Sequence, residues 1–245
     1  MDDIRITDVG DTAFNVEFGD TIDPVTNAKV TNLRRAIIGT CERGGVAGLV
    51  ETIPTFRSLL VQYDPLKTAR AALEAEIRAI ARDCGDATTT RARSWLIPVC
   101  YDDDLGEDLS ELSAAAGLPR DEAIRLHTEA EFMVYMLGFM PGFAYMGGLP
   151  ETLRRPRRAS PRLKVPAGSV AVADALCAVY PWESPGGWHL IGQSPVNFFD
   201  LGREPPILLG PGDCVRFRAI GRDEFEAARR DPSLMAPETL RIMEC

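Results

Sequence analysis

Histidine is scarce in this 245-residue chain: there are two, His127 and His189, far apart. The six cysteines, Cys41, Cys84, Cys100, Cys177, Cys214 and Cys245, are scattered and form no Cys-x-x-Cys pair. The spacings that preorganise zinc ligands are missing, so no metal site is expected. With no secretory context, all six cysteines read as reduced thiols. No uncharged apolar run reaches the ~18 residues that a membrane-spanning helix requires. The N-terminal MDDIRITDVGD is acidic where a secretory signal would be basic and then apolar. A cytoplasmic protein without membrane association is therefore expected. A cationic excess is also missing: 27 Lys and Arg stand against 36 Asp and Glu, for a net charge of −9. General nucleic-acid binding would call for a basic footprint, so it is not expected.

Several catalytic signatures are absent too. There is no Gly-x-x-x-x-Gly-Lys-Ser/Thr phosphate loop, and Pro166-Ala167-Gly168-Ser169 is only a turn that positions amides. Ser194 follows Gly192-Gln193, but no Gly-x-Ser-x-Gly elbow exists. No Gly-x-Gly-x-x-Gly fingerprint follows a strand, and no biotinyl-lysine context, internal repeat or low-complexity tract is present.

What is there is a chain with 45% apolar residues, enough for a substantial core in one large domain or two smaller ones. Residues 4–18 alternate apolar and polar around Asp8-Val9-Gly10-Asp11, which predicts a β-hairpin. Asp23-Pro24 is an N-cap followed by a first-turn proline, opening a helix striped by Ile22, Val25, Val30, Leu33 and Ile37, with Gly39 just beyond. Residues 46–53 and 57–63 read as strands around Pro54, and Asp64-Pro65 as the start of a second helix with Leu66, Ala69, Leu73, Ile77 and Ile80 buried. Strand–strand–helix–strand–strand–helix predicts an α+β sandwich with the helices on one face of a single sheet. The polar run 86–93 is the expected linker, dividing a domain 1–88 from a domain 89–245.

The second part starts with a strand at 95–101, its Pro98 suited to an edge. Short helices follow at 108–116 and from Pro119, the latter containing His127. Strands are expected at 132–137 and 214–220, a charged helix at 222–230, and no clear pattern from Asp231 onward. This part reads as a β-rich barrel or sandwich with small helices.

Between Leu137 and Asp200, glycine, proline and aromatics are dense and no long helical periodicity survives, so short strands and shaped turns are expected. Three groups there carry candidate chemistry. Arg154, Arg155, Arg157, Arg158, Arg162 and Lys164 reverse the charge of an acidic protein locally. Arginine forks bind carboxylate or phosphate bidentately, so Arg157, Arg162 and Lys164 are candidate anion ligands; the other reading is a solvated loop balancing the protein's own acids. In Glu183-Ser184-Pro185-Gly186-Gly187-Trp188-His189, the Gly186-Gly187 pair admits a ligand close to the backbone, and Glu183 and His189 are candidate acid and base. The other reading is a hairpin with Trp188 in the core and His189 a satisfied strand residue. Phe143 and Tyr145, in a glycine- and proline-punctuated run from Gly138 to Gly148, wall a pocket, fill a barrel or, together with Trp188, present a partner surface.

The segments GFMPGFAYMGGLP (138–150), PRRASPRLKVPAGSVAVA (156–173) and YPWESPGGWHLIGQSPVNFFD (180–200) resemble one family's signature. That family takes in the B-type subunit of 5-oxoprolinase, the sporulation-kinase inhibitor KipI and subunit 1 of allophanate hydrolase and urea carboxylase-type enzymes. The match is long, ordered and dense, and extends weakly over the N-terminal third. The resemblance implies a cyclophilin-like barrel in the second domain. It implies a subunit of an ATP-dependent 5-oxoprolinase, working with a C-type partner to activate 5-oxoproline, while a third subunit completes ring opening to glutamate. The chemistry implied is phosphorylation of the lactam oxygen followed by hydrolysis of the activated amide, with ATP and Mg at the level of the complex. The same signature covers a non-catalytic inhibitor that binds a histidine kinase, and a subunit acting on allophanate or urea derivatives. The isolated chain is expected to be inactive.

Overall fold

A computed structural model describes residues 4–84 and 93–242. The chain forms two units, Met1–Thr90 and Arg91–Cys245. The expected boundary at 88/89 and all of the expected linker except Arg93 lie outside the described residues.

In the first unit, β1 (Arg5–Asp8) and β2 (Ala13–Glu17) form the hairpin, and β3 (Leu49–Pro54) and β4 (Ser58–Tyr63) complete an antiparallel sheet of order β1-β2-β4-β3. Alternate residues of the two central strands, Phe14 and Val16 with Leu59, Val61 and Tyr63, point to one face. They meet Val30, Leu33 and Ile37 of α1 (Pro24–Glu42) and Leu73, Ile77 and Ala81 of α2 (Arg70–Asp83) in one core, so both helices cover the same face. Each fully buried Leu or Ile there contributes about 1.5–3 kcal/mol relative to exposure. Asp23 caps α1, its Oδ1 accepting from the amides of Val25 and Thr26 at 2.9 Å each.

Three details differ from expectation. Ile22 and Val25 are exposed, and α1 runs through Gly39 to Glu42, because the buried stripe begins only with Thr26, Asn27 and Val30. The second helix starts at Arg70, not at Asp64-Pro65. There Asp64 holds a turn instead: its Oδ1 accepts from the Leu66 amide and its carbonyl from the Lys67 and Thr68 amides. Leu66 is consequently 95% exposed.

The second unit is a closed barrel. Its strands are β5 (Ser94–Cys100), β6 (Phe132–Leu137), β7 (Ala144–Gly147), β9 (Ser169–Ala173), β10 (Leu176–Val179), β12 (His189–Gln193) and β13 (Cys214–Ile220). They run β12-β9-β10-β7-β6-β13-β5, and β5 returns to β12 through Gln193 and Cys100. Closure is tight: a Cβ on Gly192 would stand 2.7 Å from Val99 Cγ1 and 2.9 Å from the Cys100 carbonyl, so this position requires glycine. β8 (Arg162–Val165) and β11 (Ser184–Gly186) make a separate two-stranded sheet. The short β14 (Arg241–Ile242) adds to β5 at Ser94 and Trp95. Pro98 falls between that pairing and the β12 contact at Cys100, where its missing N–H costs little.

The helices α3 (Leu109–Ala115), α4 (Arg120–Glu129) and α5 (Arg222–Arg230) match the expected segments. Among the described residues, the patternless tail holds a 3₁₀ turn at Pro232–Met235, α6 (Pro237–Leu240) and β14, each too short to show a period. Four cysteines, Cys41, Cys84, Cys100 and Cys177, carry free thiols. Cys214 is disulfide-bonded, so the reading of all six as reduced thiols does not hold there.

Strand alternation gives β9 and β10 two buried faces. Val170, Val172, Cys177 and Val179 fill the barrel, where His127 of α4 stacks on Phe217 at 4.6 Å. Ala171, Ala173 and Ala178 point the other way into a second cluster with Phe143, Val165, Tyr180, Trp188 and Leu190. Small side chains on that outer wall leave room for large rings, and the candidate site is built on those rings.

Candidate functional site: an aromatic pocket with one uncompensated cation

The pocket, of about 270 Å³, is walled by Phe139, Phe143, Tyr145, Tyr180 and Trp188. Phe143 is the hub. Its ring meets Tyr145 at 4.9 Å, Tyr180 at 5.1 Å, Phe139 at 5.4 Å and Trp188 at 6.0 Å, each edge to face. Such pairs add about 0.5–1.5 kcal/mol beyond area burial and fix the wall geometry. Phe143 is delivered by the turn 138–143, in which the Met140 amide donates to Gly138 O and the Phe143 amide to Met140 O. Phe139 sits in that turn at φ 67°, a costly conformation for a bulky residue, and stands 64% exposed at the lip.

Gly186 and Gly187 form the opposite edge, and they are not equivalent. A Cβ on Gly186 would come within 2.4 Å of the Tyr180 hydroxyl, whereas one on Gly187 would meet nothing closer than 3.7 Å. Arg157 also lines the pocket, its guanidinium 5.8 Å from the Trp188 ring centre. Burial pushes the Tyr180 hydroxyl up to about 12, with the Arg157 charge opposing. Burial likewise raises Tyr145, again against Arg157. Both phenols therefore remain protonated donors at neutral pH.

The remaining sequence candidates are placed nearby but engaged elsewhere. Arg162 and Arg158 converge on Asp108, their Nη atoms donating to its Oδ1 at 2.7 and 2.8 Å. The other carboxylate oxygen of Asp108 accepts the Leu190 amide at 2.7 Å, and its own amide donates to Leu190 O. Burial pushes the Asp108 carboxyl up, but Arg162, the Leu190 amide and the two guanidinium charges together hold it below the usual carboxylate range. These arginines thus tie the segment before α3 to the cation-rich loop. Lys164 pairs with Glu183 at 3.0 Å, both exposed. His189 Nε2 donates to Pro156 O at 2.9 Å, and its Nδ1 is buried with no partner among the described residues.

Phe143, Tyr145, Arg157, Gly186, Gly187 and Trp188 are therefore brought together. Arg162, Lys164, Glu183 and His189 stand outside the pocket wall, and Glu183 and His189 do not contact each other as an acid–base pair among the described residues. Phe143 and Trp188 are only 2% and 4% exposed, so in this conformation their rings wall the pocket and offer little area to a partner. Two residues of the site carry no local sequence signal. Tyr180 follows directly on β10, and Asp108 meets partners far along the chain.

Fold and site together define a two-unit α+β protein whose closed barrel carries an aromatic pocket with, among the described residues, one guanidinium lacking a carboxylate. The sequence matches the family described as carboxyltransferase domain, subdomain C and D, over residues 4–209, and the chain belongs to that family. It is 36% identical over 241 residues to the B-type subunit of 5-oxoprolinase from Bacillus subtilis, covering 93% of this chain and 97% of that protein. The crystal structure of TTHA0988 superposes with a TM-score of 0.73 at 37% identity, covering 85% of this chain and 40% of that one. The urea amidolyase structure of K. lactis, at 21% identity and a TM-score of 0.78, covers 98% of this chain and 16% of that one, and shares the fold.

Proposed function

We propose that the chain is the B-type subunit of an ATP-dependent 5-oxoprolinase. In this reading it acts with a C-type partner subunit to activate 5-oxoproline, a lactam, for hydrolysis to glutamate. The observation that carries the reading is a coincidence of position. The end-to-end match to a protein named as that subunit includes residues 137–200, and the pocket is built from the same segment.

The pocket suits a small substrate rather than a nucleotide. Among the described residues no group of three or more His, Cys, Asp or Glu side chains is arranged to hold a metal. The wall residues include neither a glycine-rich phosphate loop nor a cation besides Arg157. These residues do not fit a Mg–nucleotide, so the proposal places ATP and Mg at the level of the complex. It also places the protein in the cytoplasm, where ATP is supplied; no helix among the described residues is long and apolar enough to cross a membrane.

Co-expression with a C-type subunit tests the reading, with ADP and glutamate measured across 5-oxoproline, allophanate and urea. ADP and glutamate formed from 5-oxoproline only when both subunits are present, with the third component added for ring opening, is the expected result. Turnover of allophanate or urea instead, or full 5-oxoproline-dependent turnover by the single chain, overturns it.

A further inference from the structure

We propose that the pocket is a carboxylate-binding site that takes a small planar ring or amide bearing one negative charge, with Arg157 as the guanidinium fork and the Tyr180 hydroxyl as second donor. The inference deepens the 5-oxoprolinase reading and rests on it for the identity of the ligand.

Charge accounting comes first. Of the cations in the Arg154–Lys164 run, Arg154, Arg158, Arg162 and Lys164 are each paired with a carboxylate. Arg155 lies outside the pocket wall and donates to Arg154 O. Arg157 has no carboxylate partner among the described residues, and no acid is among the residues that line the pocket. Arg157 is exposed at the pocket, so its guanidinium is free to exchange water for the carboxylate of a ligand. One such cation suits a monoanion; a phosphate dianion would call for more.

Donor geometry comes second. Arg157, Tyr145 and Tyr180 line the same pocket, with the Arg157 charge near enough to act on both hydroxyls. The Tyr180 hydroxyl has no protein hydrogen-bond partner among the described residues, although its ring is buried. Gly186 keeps that hydroxyl clear, since any Cβ there would collide with it. A carboxylate has two oxygens to accept from such an arrangement, and a charge-assisted bond is about twice as strong as a neutral one. Shape comes third. The rings of Phe143, Tyr145 and Trp188 wall a space that suits a small, nearly flat ring, and a five-membered lactam has that shape.

The test is titration of the full chain, followed by amide chemical shifts and calorimetry, with four probes: 5-oxoproline, cyclopentanecarboxylate, 2-pyrrolidinone and inorganic phosphate. Both carboxylates should bind, with 2-pyrrolidinone and phosphate at least about tenfold weaker. Arg157→Gln should weaken carboxylate binding by about tenfold or more, and Tyr180→Phe by about threefold to tenfold. Arg155→Gln, one charge fewer outside the pocket, should bind like wild type. Equal binding of the neutral lactam, tighter binding of phosphate, no binding of either carboxylate to the folded chain, or wild-type binding by Arg157→Gln overturns the inference. The two readings fail separately. Carboxylate binding here, with a complex that does not turn over 5-oxoproline, removes only the proposed reaction. An active complex whose Arg157→Gln chain binds normally removes only this site.

Discussion

Arg162 meets Asp108 through a single nitrogen: Nη2 donates to Asp108 Oδ1 at 2.7 Å, and the same Nη2 reaches Glu107 at 3.3 Å. The guanidinium acts there as a point donor and not as a planar fork. The ion pair is partly buried, its acid nearly fully so.

Arg162→Lys should therefore be mild, about 1 kcal/mol or less, because one charged nitrogen can be supplied by an ammonium. Arg162→Ala should cost about 2–3 kcal/mol by leaving Asp108 half-paired in a buried setting. Thermal melts of both variants check this, with Arg155→Lys as a silent control. Equal melting of the alanine variant and wild type would show the pair to be immaterial.

Asp108→Asn keeps the shape and removes the charge that two guanidinium groups share. A loss of about 3 kcal/mol is expected, the low end for a broken buried pair because both arginines keep some water contact. At about 2–4 °C per kcal/mol, the midpoint should fall by about 6–12 °C. The sign with pH follows from the lowered carboxyl. Its contribution is complete above the ordinary value of 3.8 and is lost as pH falls through the lower folded value, so wild type and variant should converge in acid below about pH 4.

Within the barrel, burial lowers His127 to about 3 from 6.5, and Tyr101 shares a hydrogen bond with its Nδ1 at 2.7 Å. The folded state holds the imidazole neutral, while the unfolded chain binds a proton below pH 6.5. Stability should therefore decline as pH drops from about 6.5 towards 3. In urea titrations across that window, His127→Leu should be less stable at pH 7, through the orphaned Tyr101 hydroxyl, but flatter with pH. An unchanged pH slope would mean that other groups set it.

Gly186→Ala and Gly187→Ala should separate cleanly. The first places a methyl 2.4 Å from the Tyr180 hydroxyl and 2.8 Å from its ring, so the tyrosine must move and carboxylate affinity should drop by about tenfold or more. The second meets no protein atom closer than 3.7 Å, so Tyr180 stays in place and the loss should be clearly smaller than for the first, limited to the methyl added at the pocket edge. Calorimetric titration with 5-oxoproline distinguishes them, and equal behaviour would remove Tyr180 from the site.

The sequence carried strong periods and punctuation well. Asp23 reads as a cap from its type and its following proline, and β6, β13 and α5 run over the expected residues because each is bounded by turn or cap residues. Val25 misled because apolar identity at a helix start says nothing about which way the first turn faces, and Leu66 because Asp64 holds it in a turn ahead of α2. The pocket's location was legible from dense glycine, proline and aromatics, but its membership was not. Arg157 and Arg162 are five residues apart and look alike, yet one faces the rings and the other Asp108. Only the barrel, which brings Leu190 and Arg158 to the segment before α3, separates them. Glu183 and His189, close in sequence, are drawn apart for the same reason, to Lys164 and Pro156.

The most direct measurement is kcat/KM for 5-oxoproline in the reconstituted complex, comparing Arg157→Gln with Arg155→Gln. The account predicts a loss of about tenfold or more for the first, equivalent to about 1.4 kcal/mol of transition-state stabilisation, and no significant change for the second. Matching wild-type values in both variants, with both complexes intact, would contradict it.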